Sequence, residues 1–123
     1  MIWREVIGLP ERKVLRMDEH ENFWSMGDTG PCGPCAEIHM DYGENPRCTS
    51  EVCDPACDCG RWLEVWNLVF MQYDRAADGT LTALPRPSVD TGMGLERMAA
   101  VIQGVYRTDH IDRFHALIDR AAA

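Results

Sequence analysis

A chain of 123 residues with 46% hydrophobic and 26% charged side chains suits one domain with one core, and excludes a disordered, fibrous or multi-domain protein. The formal net charge of −8 excludes a surface that holds nucleic acid by phosphate neutralisation alone, which needs clustered Lys and Arg. No apolar run approaches the ~18 residues of a membrane span, and the opening Met1-Ile2-Trp3-Arg4-Glu5 lacks the layout of a secretory signal, so a cytoplasmic protein with no membrane partner is expected.

Residues 1–22 read as a short amphipathic opening, with Trp3, Val6, Ile7, Val14, Leu15 and Met17 among charges and Gly8-Leu9-Pro10 breaking any helix. From Gly27 to Cys35 the glycines and prolines are too dense for a helix or a central strand, and a positioning loop is expected. Residues 43–60 are polar, rich in Cys, Pro, Asp and Gly, and read as an inserted surface loop or small knuckle. Trp62 to Tyr73 alternates Leu63, Val65, Asn67, Val69 and Met71 with Trp62, Trp66, Leu68 and Phe70, which predicts a central strand covered on both faces. Asp78-Gly79 supplies a turn, Thr80 to Leu84 a returning strand that Pro85 and Pro87 interrupt, and Ser88 to Thr91 a third short strand. Gly92-Met93-Gly94 then leads into a helix with Leu95, Met98, Val101, Ile102 and Val105 at helical spacing, ending near Gly104. Ile111, Phe114, Leu117 and Ile118 predict a second helix in the tail. Antiparallel strands followed by helices against them indicate an α+β fold.

Three groups of residues carry chemistry. A strand end that turns through Gly92-Met93-Gly94 into a helix leaves backbone N–H groups free, which favours an anion, and Arg97 one turn on offers a fork of donors to phosphate. The same glycines serve equally as a plain strand-to-helix turn. Asn67 is a lone amide in an apolar strand and needs a partner; Asp90 ends the strand predicted beside it, so the two can form a small pocket for an ammonium group, or Asp90 can simply cap the turn at Thr91. Among the six cysteines, free thiols or metal ligands are expected rather than disulfides in the absence of a secretory signal.

The strings NFWSMGDTGPCGPCAEIHMDYG (22–43) and WLEVWNLVFMQYDRAADGTLTALPRPSVDTGMGLERMAAVIQGV (62–105), with WREVIGLPERKVLR near the start and the looser TDHIDRF (108–114), resemble the alanyl-tRNA synthetases. The resemblance covers nearly everything except the cysteine-rich insert. It implies a class II catalytic fold, an antiparallel sheet flanked by helices, of which residues 1–123 form part, with GMGLER as motif 3 and Arg97 as its catalytic, ATP-binding arginine. It further implies that Trp24, Val65, Trp66, Asn67 and Gly94 line the ATP site and that Asn67 and Asp90 bind alanine, Asp90 taking the α-ammonium. The implied activity is alanine-tRNA ligation: L-alanine is activated by ATP with Mg2+ and passed to tRNA(Ala). The motif 2 hairpin and the tRNA-binding and editing regions are expected outside these residues. A non-catalytic nucleotide-binding or interaction fragment is the competing reading, and a small zinc-binding module a third.

Two cysteine groups stay open on the sequence. Cys32 and Cys35 suit half of a zinc site or a tightly packed loop, and the resemblance supports the loop. Cys48, Cys53, Cys57 and Cys59 provide enough thiols for a tetrahedral Zn2+ site, although their spacing matches no standard pair, and they suit free thiols in a mobile loop as well. Asp74 stands where the family more often has Asn, and a weakened local turn is expected there.

Overall fold

The computed structural model describes residues 2–123, so Met1 lies outside the described residues. A short helix α1 (Ile2–Glu5) and a single 3-10 turn (Glu11–Lys13) open the chain. Four strands follow, β1 (Phe23–Ser25), β2 (Gly30–Asp41), β3 (Trp62–Arg75) and β4 (Leu81–Met93), then helices α2 (Leu95–Gln103) and α3 (Asp112–Ala122). The strands form one antiparallel sheet in the order β1-β2-β3-β4, giving the α+β class that the alternation and the helical periods imply.

The glycine-proline segment, expected as a loop, is instead the first half of β2. Pro31 pairs with Asp74, Cys32 with Tyr73 and Pro34 with Phe23, and the register against β3 breaks between Cys32 and Cys35. That irregularity accommodates a proline, which has no N–H to donate to the ladder. Gly33 sits in the break, where a Cβ would fall 2.0 Å from the Phe70 carbonyl oxygen. Two backbones therefore cross at a separation that only glycine permits. Gly33→Ala is expected to destabilise the fold by about 1–3 kcal/mol through forced overpacking, read as a lower urea midpoint at unchanged slope.

Pro85 and Pro87 do not end their strand either. Tyr73 pairs with Ala83 and Met71 with Ser88, so residues 84–87 bulge opposite Gln72 and the ladder resumes beyond them. β4 is the sheet edge, where an unpaired proline nitrogen faces no neighbour. The returning strand and the third short strand are thus one element. Asp74 pairs with Pro31 and Thr82 inside the ladder, while the turn is closed by Gly79 N–H to the Ala76 carbonyl (2.9 Å) and Thr80 N–H to Asp78 Oδ1 (2.9 Å). Asp74 therefore takes no part in that turn.

β3 is central in the sheet, but one of its faces is open. Trp66 and Phe70 are 38% and 39% exposed, and their partners Met93 and Val89 are 50% and 61% exposed. The buried apolar residues are Cys32, Val65, Val69, Ala100 and Ile111, too few to cover both sides of a sheet this long. Helix α2 ends where Gly104 turns left-handed (φ 68°), its N–H returning to the Ala100 and Val101 carbonyls. Tyr42 Oη donates to the Val105 carbonyl at 3.2 Å, tying the end of α2 to the chain just past β2. Among the described residues no helix is long and apolar enough to cross a membrane.

Candidate functional site

Three neighbouring segments build the site: the middle of β3, the end of β4 and the first turn of α2. Gly94 N–H donates to the Val65 carbonyl at 3.1 Å, so the last residue before α2 is stitched to β3. Gly94 is also the N-cap of α2 and makes no side-chain cap bond, leaving the first-turn N–H groups available. Arg97 folds its stem over Gly94, where an added Cβ would lie 3.1–3.2 Å from Arg97 carbons. Its Nη1 donates to the Glu64 carbonyl at 3.0 Å and to Glu64 Oε2 at 2.8 Å. The guanidinium is thereby aimed before any ligand arrives, with half of its surface still in solvent.

The alanine-binding candidates share a face. Asn67 pairs with Gly92, and Asp90 pairs with Val69 two residues further along β3, which makes Asn67 and Asp90 diagonal neighbours on one side of the sheet. Such neighbours stand about 7–8 Å apart, a gap that a small ammonium group spans. Gly92 adds no side chain beside Asn67 and has open space above its backbone. The Asn67 Oδ1 is buried without a partner. Asp90 is exposed and its Oδ1 accepts the Thr91 N–H at 2.9 Å, the capping role weighed from sequence. That bond uses one carboxylate oxygen and leaves the other free.

Beside Asn67 lies a polar group that sequence reasoning misses. Glu37 pairs with Asn67 across β2 and β3, and Glu37 Oε2 lies 3.0 Å from His39 Nε2. Burial first, and then the charges of Glu37 and Glu64, push the Cys35 thiol up to about 11. Cys35 and the fully buried Cys32 both lie within β2, so a strand stands where the sequence suggested a tightly packed loop. The available signal was a carboxylate, Glu64, inside an otherwise apolar strand.

Trp24 stands on β1 opposite Gly33, and Trp66 opposite Met93. Trp66 is thus near the Gly94 turn in register, whereas Trp24 is separated from β4 by two strands, and no strand pairing among the described residues sets it beside the Asn67–Arg97 group. A second assembly, the four thiols of Cys48, Cys53, Cys57 and Cys59, gathers in the connection between β2 and β3, with all the sulfurs within 4.8 Å of one another. A metal ion fits that cluster.

Similarity to known proteins runs along the whole chain. The family model described as tRNA synthetases class II (A) matches residues 1–123. An "Alanine--tRNA ligase" of Oleidesulfovibrio alaskensis is 55% identical over 121 residues, 98% of this chain and 14% of that protein. Proteins of the same name from Desulfosudis oleivorans (63% over 102 residues, 83% of this chain and 12% of theirs) and Francisella philomiragia (56% over 125 residues, 98% and 14%) are similar to it as well. The chain spans about one seventh of the length of these curated relatives. A match along the whole of its length, together with an antiparallel sheet that delivers a strand, a glycine turn and an arginine-bearing helix, shows that the chain belongs to the class II (A) tRNA synthetases.

Proposed function

We propose that this chain is part of the catalytic domain of an alanine-tRNA ligase, which activates L-alanine with ATP to alanyl-adenylate and transfers the alanyl group to tRNA(Ala) in the cytoplasm. The observation that carries the reading is the pair of acceptors on one face of β3 and β4: the unpartnered Asn67 Oδ1 and the free oxygen of Asp90, set beside side-chain-free Gly92. Two acceptors, one of them charged, suit the three donors of an α-ammonium, and the small gap between them suits a methyl side chain. The names of the relatives support the choice of alanine.

In this scheme the alanine carboxylate oxygen attacks the α-phosphorus of ATP, the bond to the β-phosphate breaks, and pyrophosphate leaves. Asp90 and Asn67 hold the ammonium so that the carboxylate points along β3 toward the Gly94 turn. Arg97 and the N–H groups at the start of α2 face the phosphates there, with Val65 and Trp66 of β3 beside the nucleotide. Mg2+ enters as the complex of ATP and neutralises phosphate charge. No residue forms a covalent intermediate, and the thiol cluster holds no reacting atom.

Asp90→Asn tests the assignment, because an asparagine oxygen can still accept the Thr91 N–H and so spares the turn. In a polypeptide that includes this segment at its relatives' full length, the KM for alanine is expected to rise about 30-fold to several-thousand-fold, from about 2–5 kcal/mol for breaking a charge-assisted pair. The KM for ATP in pyrophosphate exchange should hardly change. Equal weakening toward both substrates would remove Asp90 from the amino-acid site.

A further inference from the structure

We infer that the connection between β2 and β3 is a zinc knuckle, in which Cys48, Cys53, Cys57 and Cys59 bind one Zn2+ as a tetrahedral four-thiolate centre. The sulfurs of Cys48 and Cys57 are 3.6 Å apart, as are those of Cys53 and Cys59, and all four lie within 4.8 Å of one another. Four sulfurs bound at ~2.3 Å around one tetrahedral ion stand about 3.8 Å from each other. The separations are too long for disulfide bonds and too short for an iron–sulfur cluster, which spreads its thiolates over several irons. A soft, all-sulfur tetrahedral donor set selects zinc over the hard cations.

The surroundings complete the centre. Residues 42–61 contain no helix or strand, and their aliphatic residue Val52 is 71% exposed, so no apolar core gathers the thiols. A long connection without a core converges its side chains only when something else binds them. The Ser50 hydroxyl lies 3.3 Å from the Cys57 sulfur. Donors aimed at sulfur, with the Arg61 guanidinium beside Cys53, offset the excess negative charge of four thiolates on a divalent ion. Asn45 donates through Nδ2 to the Cys59 carbonyl, and Arg61 clamps Asp41 through two bonds of 2.7 and 2.9 Å, fastening the knuckle to the ends of β2 and β3. Glu64, which aims Arg97, is three residues from that clamp.

The polypeptide, expressed from its whole coding sequence, is purified under reducing, chelator-free conditions and its metal counted, beside Cys57→Ser/Cys59→Ser and Cys32→Ser/Cys35→Ser variants. The first variant should lose one zinc per chain relative to the parent and the second should lose none, a difference that isolates this site from any other zinc the polypeptide carries. Because a variant can misfold, the parent is also alkylated with iodoacetamide and mapped by mass: Cys48, Cys53, Cys57 and Cys59 should be protected until a strong chelator is added, and should label together afterwards. Equal zinc in parent and first variant, loss with the Cys32/Cys35 variant instead, iron in place of zinc, or immediate labelling of all four thiols would each overturn the proposal.

Discussion

Arg97→Ala is expected to lower alanine-dependent pyrophosphate exchange by ~10²–10³-fold, mostly in kcat, in a full-length polypeptide carrying this segment. That loss corresponds to about 2.7–4 kcal/mol, the usual cost of deleting one preorganised donor aimed at charge that develops in the transition state. The structure supplies the preorganisation. The Arg97 stem rests over Gly94, and Glu64 holds Nη1 with its carbonyl and its carboxylate at 3.0 and 2.8 Å, so the remaining guanidinium N–H groups are already directed. Arg97→Lys should recover little, since one ammonium cannot both satisfy Glu64 and present a planar fork to phosphate. Glu64→Gln should have a milder effect, because its carbonyl still orients the arginine. Rates for Arg97→Ala within a few-fold of the parent would exclude Arg97 from the reaction.

The 123 residues expressed alone are expected to show no alanine-dependent exchange above background and to self-associate. The acceptors of the site have a floor but no roof: Asp90, Gly92 and Arg97 are all exposed, so the electrostatic gain of a water-free pocket is absent. The sheet shows the same incompleteness. Trp66, Phe70, Val89 and Met93 form an open apolar stripe, and all but one residue of edge strand β4 is exposed. An uncovered stripe beside an unpaired edge is a template for association. The measurement is pyrophosphate exchange with sedimentation velocity on the purified stretch, alongside the full-length polypeptide. Alanine-dependent exchange by a monomeric stretch would mean that these residues hold a complete site.

Much of this was legible because it is local. The alternation along Trp62–Tyr73, the helical spacing of Leu95, Met98, Val101 and Ile102, and the glycine turn before Arg97 each express a period or a backbone preference within a few residues. The unmatched amide of Asn67 was visible in the same way, as one polar group in an apolar run. Prolines misled for the opposite reason: in isolation Pro31, Pro34, Pro85 and Pro87 break strands, and whether they do so depends on the neighbour. β2 accommodates Pro34 at a register break and Pro31 one residue before it, and β4 carries its pair in a bulge on the edge.

By itself, then, the order of residues determined the α+β class and the family, and marked Asn67, Asp90, Gly94 and Arg97 as candidates by residue type and local pattern. Only the tertiary structure decided that Asp90 stands diagonal to Asn67, that Glu64 and Glu37 lie around them, and that Cys48, Cys53, Cys57 and Cys59 meet while Cys32 and Cys35 lie within β2. Strand register and loop closure set these distances. Both are outcomes of pairing between segments far apart in the chain, where a shift of one residue would turn Asn67 to the opposite face, and no short-range preference specifies them.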